Sequence, residues 1–464
     1  MSLLPRELAA LLVTALLVAS GCAPNTTPKP PATQIGTYLA SDDRSSHFPT
    51  ERVPFSLAPS VLWSARAPGS ISAQPLLSGK VVYWGAWDGY ERATTTAGKQ
   101  LWVTDLGRSS DAACEPPAAG VAGTPTLAVL GGEPVLYLAG GSARFFALNA
   151  RTGSIIWKTV LGSAPAEFIW GSPALYRGSL YVGVSAFGEC APSSGRLVEL
   201  DAATGAVLHV FSTVPKGCSG GGIWGSPTVD DATGTVFVAT GDSDAADCTR
   251  PAPYAQALVA LRAKDLSLLD AWQVPPPERV SDGDFGSTPT LFTSNSGGAN
   301  RPLVGVANKN GTYYAFDRNR IGRGPIWRSV IAKGGSCPYC GDGSIASSAF
   351  DGARLFVAGG TTRIAGAACP GGLRALDPAT GAPTWGLCLT SGPVLAGVVS
   401  VPGLVLVGSG PDLVGVASDT GQIVFKFAAP DRAAAFLAPA WPSDGIVYAG
   451  TSGGDLYALG RATP

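Results

Sequence analysis

The sequence predicts an all-β fold: an eight-bladed β-propeller of four-stranded antiparallel blades, with seven blades as the alternative. The first observation is a repeat. An apolar pair, an Asn or Asp and usually a Thr-Gly turn recur about every 40 to 60 residues, a period typical of propellers. The second is the abundance of Gly (61) and Pro (38), which suits many short strands joined by tight turns. Copies of the repeat are centred on Asn149, Asp201, Asp317, Asp377 and Asp419.

Composition excludes several classes of function. Only 14% of the residues are charged and the formal net charge is -1, so the chain lacks the basic surface that nucleic-acid binding requires. Its two histidines, His47 and His209, have no companion nearby in the sequence. Histidine-based catalysis and His-rich metal sites are therefore not expected.

Residues 1–22 are predicted to be an export signal. Arg6 precedes an apolar run over 8–18 that is too short to span a bilayer. The segment ends in Ala19-Ser-Gly-Cys22, which resembles the lipobox of bacterial lipoproteins. We therefore expect an exported protein that is lipidated at Cys22 and held at a bacterial membrane, on its periplasmic or cell-surface side. An ordinary secretory signal is the alternative. Residues 23–53, rich in Pro and Thr at their start, are predicted to be a disordered tether.

The cysteines agree with export. Besides Cys22 the chain has eight, and an even number in an exported protein indicates disulfides. Cys337 and Cys340 are close enough in sequence to pair. Cys369 and Cys388 flank one predicted hairpin and are a second candidate pair. A redox or zinc role for Cys337 and Cys340 is the less favoured alternative.

Each predicted blade begins with a strand of small residues, as in the Gly-Ser-Pro and Gly-Ser-Thr-Pro phrases that end at Pro173, Pro227 and Pro289. Small residues suit the crowded inner rim, and the very apolar strand that follows suits burial on both faces. The third strand ends in the repeat turn. The fourth often carries a Trp that we expect to pack between blades: Trp102, Trp157, Trp272, Trp327 and Trp385.

The two ends of the chain predict how the ring closes. The C-terminal unit stops after three strands, whereas the segment from Ser60 to Arg66 reads as an isolated fourth strand. Pairing the first strand with the last removes an open sheet edge. The propeller is thus predicted to occupy 54–464.

The repeated Ala-Leu-Asp-x-x-Thr-Gly-x-x-x-Trp phrase resembles the tryptophan-docking repeat of the pyrroloquinoline-quinone (PQQ) propeller superfamily. Its members include quinoprotein alcohol dehydrogenases, polyvinyl-alcohol dehydrogenases and a noncatalytic lipoprotein of the outer-membrane barrel-assembly machinery. The resemblance covers nearly all of 54–464. It specifies the fold well and the activity poorly.

The resemblance implies a cofactor site for PQQ and Ca²⁺. Glu189, which follows the strand end at Ser185, and Asp242, which follows Ala-Thr-Gly, match the positions that bind calcium in the dehydrogenases. Trp224 follows a Gly-Gly-Gly run and matches the residue that stacks on the quinone. Lys309, before Asn-Gly, matches the residue that contacts the quinone oxygens. Ser185 is the remaining candidate for cofactor contact.

The resemblance also implies a catalytic base. The dehydrogenases use an Asp in a segment that ends in Asp-Phe, and this chain has Asp282-Gly-Asp284-Phe285; Asp282 and Asp284 are both candidates. The adjacent cysteine pair of the methanol-type enzymes and a cytochrome c motif are absent from the sequence, so an external electron acceptor is expected.

Two functions therefore remain open. The first is a PQQ-dependent dehydrogenase-like protein that oxidises a small or polymeric alcohol. The alternative is a noncatalytic envelope scaffold that binds protein partners. Acidic residues near the predicted inner rim favour the first, because a metal site needs oxygen ligands.

Overall fold

The computed structural model describes residues 32–54, 58–188, 193–243, 252–296 and 299–461. It confirms the predicted architecture: eight four-stranded antiparallel blades form a ring. The described residues contain no α-helix, only three short 3₁₀ turns, Pro276–Glu278, Ile321–Arg323 and Pro338–Cys340. Within this part of the chain, no helix has the length and apolarity that a bilayer crossing requires.

The blades follow one another in sequence, and each contributes four neighbouring antiparallel strands. Blade 1 is Leu76–Ser78, Val81–Gly85, Tyr90–Thr95 and Gln100–Asp105. Blade 2 is Thr126–Leu130, Glu133–Gly140, Arg144–Asn149 and Ile155–Val160. Blade 3 is Ala174–Tyr176, Ser179–Ala186, Arg196–Asp201 and Val207–Ser212. Blade 4 is Thr228–Asp230, Thr235–Ala239, Ala257–Arg262 and Leu268–Gln273.

The second half of the ring repeats this arrangement. Blade 5 is Thr290–Ser296, Ala299–Ala307, Thr312–Asp317 and Trp327–Val330. Blade 6 is Ala349–Phe350, Leu355–Gly359, Gly371–Leu376 and Pro383–Leu389. Blade 7 is Val399–Val401, Leu404–Ser409, Asp412–Ala417 and Ile423–Ala428. Blade 8 is Trp441–Ser443, Ile446–Gly450, Asp455–Gly460 and the N-terminal strand Ser60–Arg66. Short extra strands are Thr33–Gly36, Ser109–Ser110, Ala118–Ala119, Glu167–Phe168, Thr362–Ile364 and Ala367–Cys369.

The ring closes as the sequence predicted. Ser60–Arg66 pairs antiparallel with Asp455–Gly460, the third strand of blade 8. The first blade and the last are therefore held by main-chain hydrogen bonds, and no sheet edge is left open at the junction.

The first strand of each blade lies nearest the axis, and a belt of hydroxyl groups joins the starts of these strands. In each case the backbone N–H of one blade donates to a Ser or Thr hydroxyl of the next. The donor and acceptor pairs are Gln74 and Thr124, Thr124 and Ser172, Ser172 and Ser226, Ser226 and Thr288, and Thr288 and Ser347. The hydroxyls thus accept hydrogen bonds from buried N–H groups. The sequence analysis had explained these small residues only by the crowded inner rim and did not predict this role.

Tryptophans on the fourth strands join neighbouring blades, as predicted. The Trp102 indole N–H donates to Ala150 O at 3.1 Å, and the ring covers Gly153 in the Thr-Gly turn of the next blade. Trp63, Trp157, Trp327 and Trp385 make the corresponding bond to the next blade. Trp272 packs instead on Tyr314 and Phe316, with ring centroids 5.1 and 5.0 Å away.

The structure differs from the predicted tether over 23–53, of which it describes 32–53. Residues 33–48, here called the axial segment, are built into the ring. Thr33–Gly36 pairs with the first strand of blade 2. Main-chain carbonyls further along accept hydrogen bonds from the first strands of blades 4 to 7; the acceptor and donor pairs are Asp42 and Val229, Asp43 and Leu291, Ser45 and Phe350, and Ser46 and Ser400. The Pro- and Thr-rich composition that predicted disorder ends before this stretch.

Arg44 is the centre of the axial segment. Its side chain is fully buried and donates to Thr37 Oγ1 at 3.0 Å, Tyr38 O at 2.7 Å, Pro173 O at 3.0 Å and Pro227 O at 3.1 Å. A buried guanidinium is tolerated where its N–H groups have acceptors. The residue therefore ties the axial segment to blades 3 and 4.

Both predicted disulfides are present, Cys337–Cys340 and Cys369–Cys388. Cys114 and Cys218 are also disulfide-bonded. Cys22 lies outside the described residues.

Candidate functional site

The topology of the blades brings the candidate residues to one end of the axis. In an antiparallel blade, the start of the first strand and the end of the second lie at the same edge. Trp224 precedes the first strand of blade 4, and Asp242 follows its second strand. Asp282 and Asp284 precede the first strand of blade 5, and Lys309 follows its second strand. We call this edge the site end.

Five of the predicted residues meet there. The Lys309 Nζ donates to Asp282 Oδ2 at 2.7 Å and to Asp284 Oδ2 at 2.9 Å. The backbone N–H of Asp242 donates to Asp284 Oδ1 at 2.7 Å. One carboxylate oxygen from each Asp lies within 4.8 Å of the others. We call Asp242, Asp282 and Asp284 the acid cluster.

Trp224 borders the acid cluster. The Lys309 Nζ lies 5.5 Å from the centroid of the Trp224 ring, within cation–π distance. Trp224 is half-buried, and its six-membered ring lies against Gly286, where a Cβ would overlap it. The glycine two residues after Asp284 thus allows the indole to approach this strand.

A second glycine lets the cluster form. A Cβ on Gly241 would lie only 2.9 Å from Asp284 Oδ1, tighter than side chains normally pack. Asp242 and Asp284 come from different blades, and the missing side chain allows the Asp284 carboxylate to reach the Asp242 backbone N–H.

Burial and mutual repulsion perturb the acid cluster. Burial and the charge of Asp284 raise the pKa of Asp282 to about 7, against the opposing effect of Lys309. The same causes raise the pKa of Asp242 to about 6. Burial lowers the pKa of Lys309, but Asp284 and Asp282 outweigh it and the pKa is raised. The ammonium therefore stays charged, while Asp242 and Asp282 hold protons closer to neutral pH than an exposed Asp does.

The two candidates for the base differ in exposure. The Asp282 side chain is 30% exposed, against 13% for Asp284. Asp282 has a φ of 51°, a left-handed conformation that Asp adopts more readily than most residues. Asp284 is held by the Asp242 N–H as well as by Lys309.

The two remaining predicted residues are Ser185 and Glu189. Ser185 is the penultimate residue of the second strand of blade 3 and is buried; its hydroxyl donates to Ala186 O at 3.3 Å. Glu189 lies outside the described residues.

Sequence reasoning missed the residues that hold the cluster in place. Asn308 is buried and donates to Gly283 O at 2.8 Å, which fixes the turn between Asp282 and Asp284. The Asn-Lys-Asn-Gly run over 308–311 could have indicated Asn308, but the sequence analysis selected only Lys309 from it. Residues 333–343, here called the disulfide loop, also support Lys309, because Gly335 N–H donates to Lys309 O at 3.1 Å.

Comparisons with known proteins place the chain in a family. A family model described as glucose/ethanol/alcohol dehydrogenase, beta-propeller domain matches 214–328. A second PQQ-repeat model, described as outer membrane protein assembly factor BamB, matches 59–167 and 309–463, more than half of the chain. The chain belongs to the PQQ-repeat β-propeller family.

A curated polyvinylalcohol dehydrogenase from Pseudomonas sp is 30% identical over 224 residues, 40% of this chain and 34% of the relative. The match thus spans about a third of that relative's length.

Three solved structures share the fold. A quinohemoprotein alcohol dehydrogenase from Comamonas testosteroni has a TM-score of 0.72 at 16% identity, over 94% of this chain and 81% of its own. A europium-containing methanol dehydrogenase has a TM-score of 0.72 at 15% identity, over 92% of this chain and 98% of its own. BamB from Moraxella catarrhalis has a TM-score of 0.55 at 16% identity, over 87% of this chain and 98% of its own. At these identities the likeness shows the fold alone.

Proposed function

We propose that this protein is a PQQ-dependent alcohol dehydrogenase-like protein that binds the quinone and a hard cation at the site end of the ring. The observation that carries the proposal is the convergence of three carboxylates, Lys309 and Trp224 on one point. All five residues fall within 214–328, the segment that matches the dehydrogenase model. The curated relative is named a polyvinylalcohol dehydrogenase, which supports an alcohol as the substrate.

The acid cluster fits a cation. Hard cations prefer carboxylate oxygens, and the cluster offers three oxygens within 4.8 Å. We assign Asp242 and Asp284 as ligands, with Glu189 as a further one, and Ca²⁺ as the metal. One structural relative is named for europium, so a trivalent lanthanide is a second ion to test.

The neighbouring side chains fit PQQ, a planar tricarboxylate. Trp224 supplies an aromatic surface, and Lys309 supplies a positive charge beside it. When bound, the quinone would take up the two electrons and the hydrogen that leave the alcohol carbon. An external acceptor would then remove the electrons.

Asp282 is the stronger candidate for the general base. Its pKa of about 7 suits proton transfer near neutral pH, and its side chain is the more exposed of the two. In this role its carboxylate accepts the hydroxyl proton of the alcohol as the carbonyl forms. Lys309 holds the Asp282 carboxylate in place and donates to the proposed metal ligand Asp284 as well.

The test is a titration of the full chain with PQQ in the presence of Ca²⁺ or La³⁺, followed by quinone absorbance and tryptophan quenching. We expect saturable binding and alcohol-dependent reduction of an artificial electron acceptor. Asp242→Asn should weaken binding, whereas Asp231→Asn, in the turn after the first strand of the same blade, should not. A folded wild-type chain that binds no PQQ with either ion would refute the proposal.

The second candidate is an envelope scaffold that binds other proteins. It is supported by the BamB-type model, which matches more of the chain than the dehydrogenase model does. It predicts co-purification of specific partners that Trp224→Ala leaves unchanged. In either case we propose export and lipidation at Cys22, which metabolic labelling with a fatty-acid analogue and a Cys22→Ala control would test.

A further inference from the structure

We propose that Tyr314 is a positioning residue for the site end, because its hydroxyl joins the turn that carries Lys309 to the segment that carries Asp282. The turn is residues 308–311, here called the Lys309 turn. The segment is residues 276–284, here called the base segment. The effect on catalysis rests on the proposed function. The coupling of the two segments does not, because it rests on hydrogen bonds within the chain.

Near the acid cluster, two hydrogen bonds already join the Lys309 turn to the base segment. Asn308 donates to Gly283 O at 2.8 Å, and the Lys309 backbone N–H donates to Asp284 O at 2.9 Å. Both bonds lie on the C-terminal side of Asp282. They hold one end of the base segment, and a base fixed in space needs the other end held as well.

Tyr314 holds that other end. Asn310 Nδ2 donates to Glu278 O at 3.0 Å and to the Tyr314 hydroxyl at 2.7 Å. The hydroxyl in turn donates to Glu278 Oε2 at 2.8 Å. The roles are fixed, because Asn310 Oδ1 accepts from Thr312 N–H at 3.0 Å, which leaves the amide nitrogen as the donor. Asp282 therefore lies between two points that are both tied to the Lys309 turn.

The packing of the Tyr314 ring holds its hydroxyl in place. The residue is fully buried, and its ring centroid lies 5.1 Å from that of Trp272 and 6.1 Å from that of Phe285. Phe285 directly follows Asp284. The ring thus contacts the residue after one end of the base segment, while the hydroxyl bonds the other end. Glu278 is also paired with Arg328 on the fourth strand of blade 5.

This arrangement gives Tyr314 its role. The Asp282 side chain is 30% exposed and is paired with Lys309, so its position depends on how the main chain on either side is held. Loss of the Tyr314 hydroxyl releases the Glu278 carboxylate and loosens the N-terminal end of the base segment. In the proposed reaction Asp282 touches the alcohol, and Tyr314 acts only through it.

The coupling is tested in the full chain without any cofactor. Tyr314→Phe removes one oxygen atom and leaves the ring in place. Amide hydrogen exchange, followed by mass spectrometry, should become about 5-fold faster in peptides that cover 276–284, because the bond to the Glu278 carboxylate is lost. An unchanged exchange rate in the folded Tyr314→Phe protein overturns the coupling.

The neighbouring Tyr313 is a matched control. It is buried as well, and its hydroxyl lies 2.8 Å from Ser348 Oγ. The two tyrosines face opposite sides of the sheet, with Tyr313 packed towards blade 6 and Tyr314 towards blade 4. Tyr313→Phe should therefore speed exchange near Ser348 and leave 276–284 unchanged. Equal acceleration of 276–284 in both variants would show a general loss of stability and overturn the coupling.

The effect on catalysis is tested in the PQQ- and Ca²⁺-loaded protein. Tyr314→Phe should lower kcat for ethanol by about 10-fold, because a small displacement of the base slows proton transfer. The PQQ titration midpoint should not change. Tyr313→Phe should retain the wild-type kcat. A wild-type kcat in a Tyr314→Phe protein that binds PQQ overturns the catalytic role alone.

Variants of Glu278 separate position from charge. Glu278→Gln keeps an oxygen that accepts from Tyr314 but loses the ion pair with Arg328, so it should retain most of kcat. Glu278→Ala removes the acceptor and should lower kcat as much as Tyr314→Phe does. Equal losses in the two Glu278 variants would assign the effect to charge and overturn the role of the hydroxyl. If the wild type binds no PQQ, the proposed function and the catalytic role fail together, and hydrogen exchange alone decides the coupling.

Discussion

Lys309 at the site end and Arg44 in the axial segment are both buried basic side chains, but their environments differ in kind. At the site end, Lys309 faces two carboxylates and a third lies close by. In the axial segment, the acceptors of Arg44 are four main-chain carbonyls and a hydroxyl. Burial lowers the pKa of Arg44. For Lys309, the neighbouring carboxylates outweigh burial, and the pKa of the ammonium is raised.

This difference separates a structural cation from a functional one. The N–H groups of Arg44 are taken up by neutral acceptors of the chain itself, which hold the axial segment in place. Around Lys309 the carboxylates outnumber the ammonium, so the site end has negative charge that a bound cation could balance. Four predictions test whether this contrast holds.

The largest effect should come from the proposed base. Asp282→Asn should lower kcat by roughly 10² to 10⁴-fold while PQQ binding is retained, because an amide cannot accept the hydroxyl proton. In the wild type, kcat/KM should rise with pH as Asp282 ionises, because only the carboxylate form can accept the proton. Steady-state kinetics with an artificial acceptor check both, with Asp231→Asn as the control. Wild-type kinetics in the Asp282→Asn protein would contradict the assignment.

The next effect should come from the axial segment. Arg44→Ala removes a fully buried guanidinium and leaves its acceptors unpaired, so the free energy of unfolding should fall by about 3 to 5 kcal/mol. Arg52→Ala, at an exposed position a few residues later, should change it by less than about 0.5 kcal/mol. Denaturant unfolding measures both. Equal losses in the two variants would show that Arg44 is not the tie between the segment and the blades.

Calcium should act on the site end in a pH-dependent way. Without metal, the raised pKa values of Asp242 and Asp282 mean that the folded state holds protons that the unfolded state has already released. These groups therefore cost stability progressively from about pH 4 to pH 7. Because Ca²⁺ competes with those protons, it should raise Tm more at pH 8 than at pH 5. Asp242→Asn should reduce the difference; a Ca²⁺ effect independent of pH would place the ion elsewhere.

The smallest effect should come from Asp42 in the axial segment. Burial raises its pKa to about 6, against the opposing charge of Arg44. Its ionised form is therefore unfavourable, and Asp42→Asn should stabilise the protein by about 1 to 2 kcal/mol above pH 6. The gain should shrink between pH 6 and pH 4, where the folded state holds a proton. The exposed neighbour Asp43 is the matched control, and PQQ binding should not change in either variant.

The repeat predicted most of the fold because its period reflects local physics. Each Thr-Gly turn and each following Trp is decided by residues close in sequence, so the blades, the closing strand Ser60–Arg66 and the role of Trp102 could all be predicted. The axial segment could not. Its residues 37–48 have no strand periodicity, and the hydrogen bonds that order them come from first strands up to about 350 residues away, as for Ser46 and Ser400.

The site shows the same division. The sequence alone determined which residue types could serve a cation and a quinone, because carboxylates, a lysine and a tryptophan stand at the ends of inner strands. Only the tertiary structure decided which of them meet, since Asp242 and Asp284 belong to consecutive blades and approach where Gly241 leaves room. It also decided the pKa values, because burial and Coulomb forces depend on distances in space, and separation along the chain does not specify those distances.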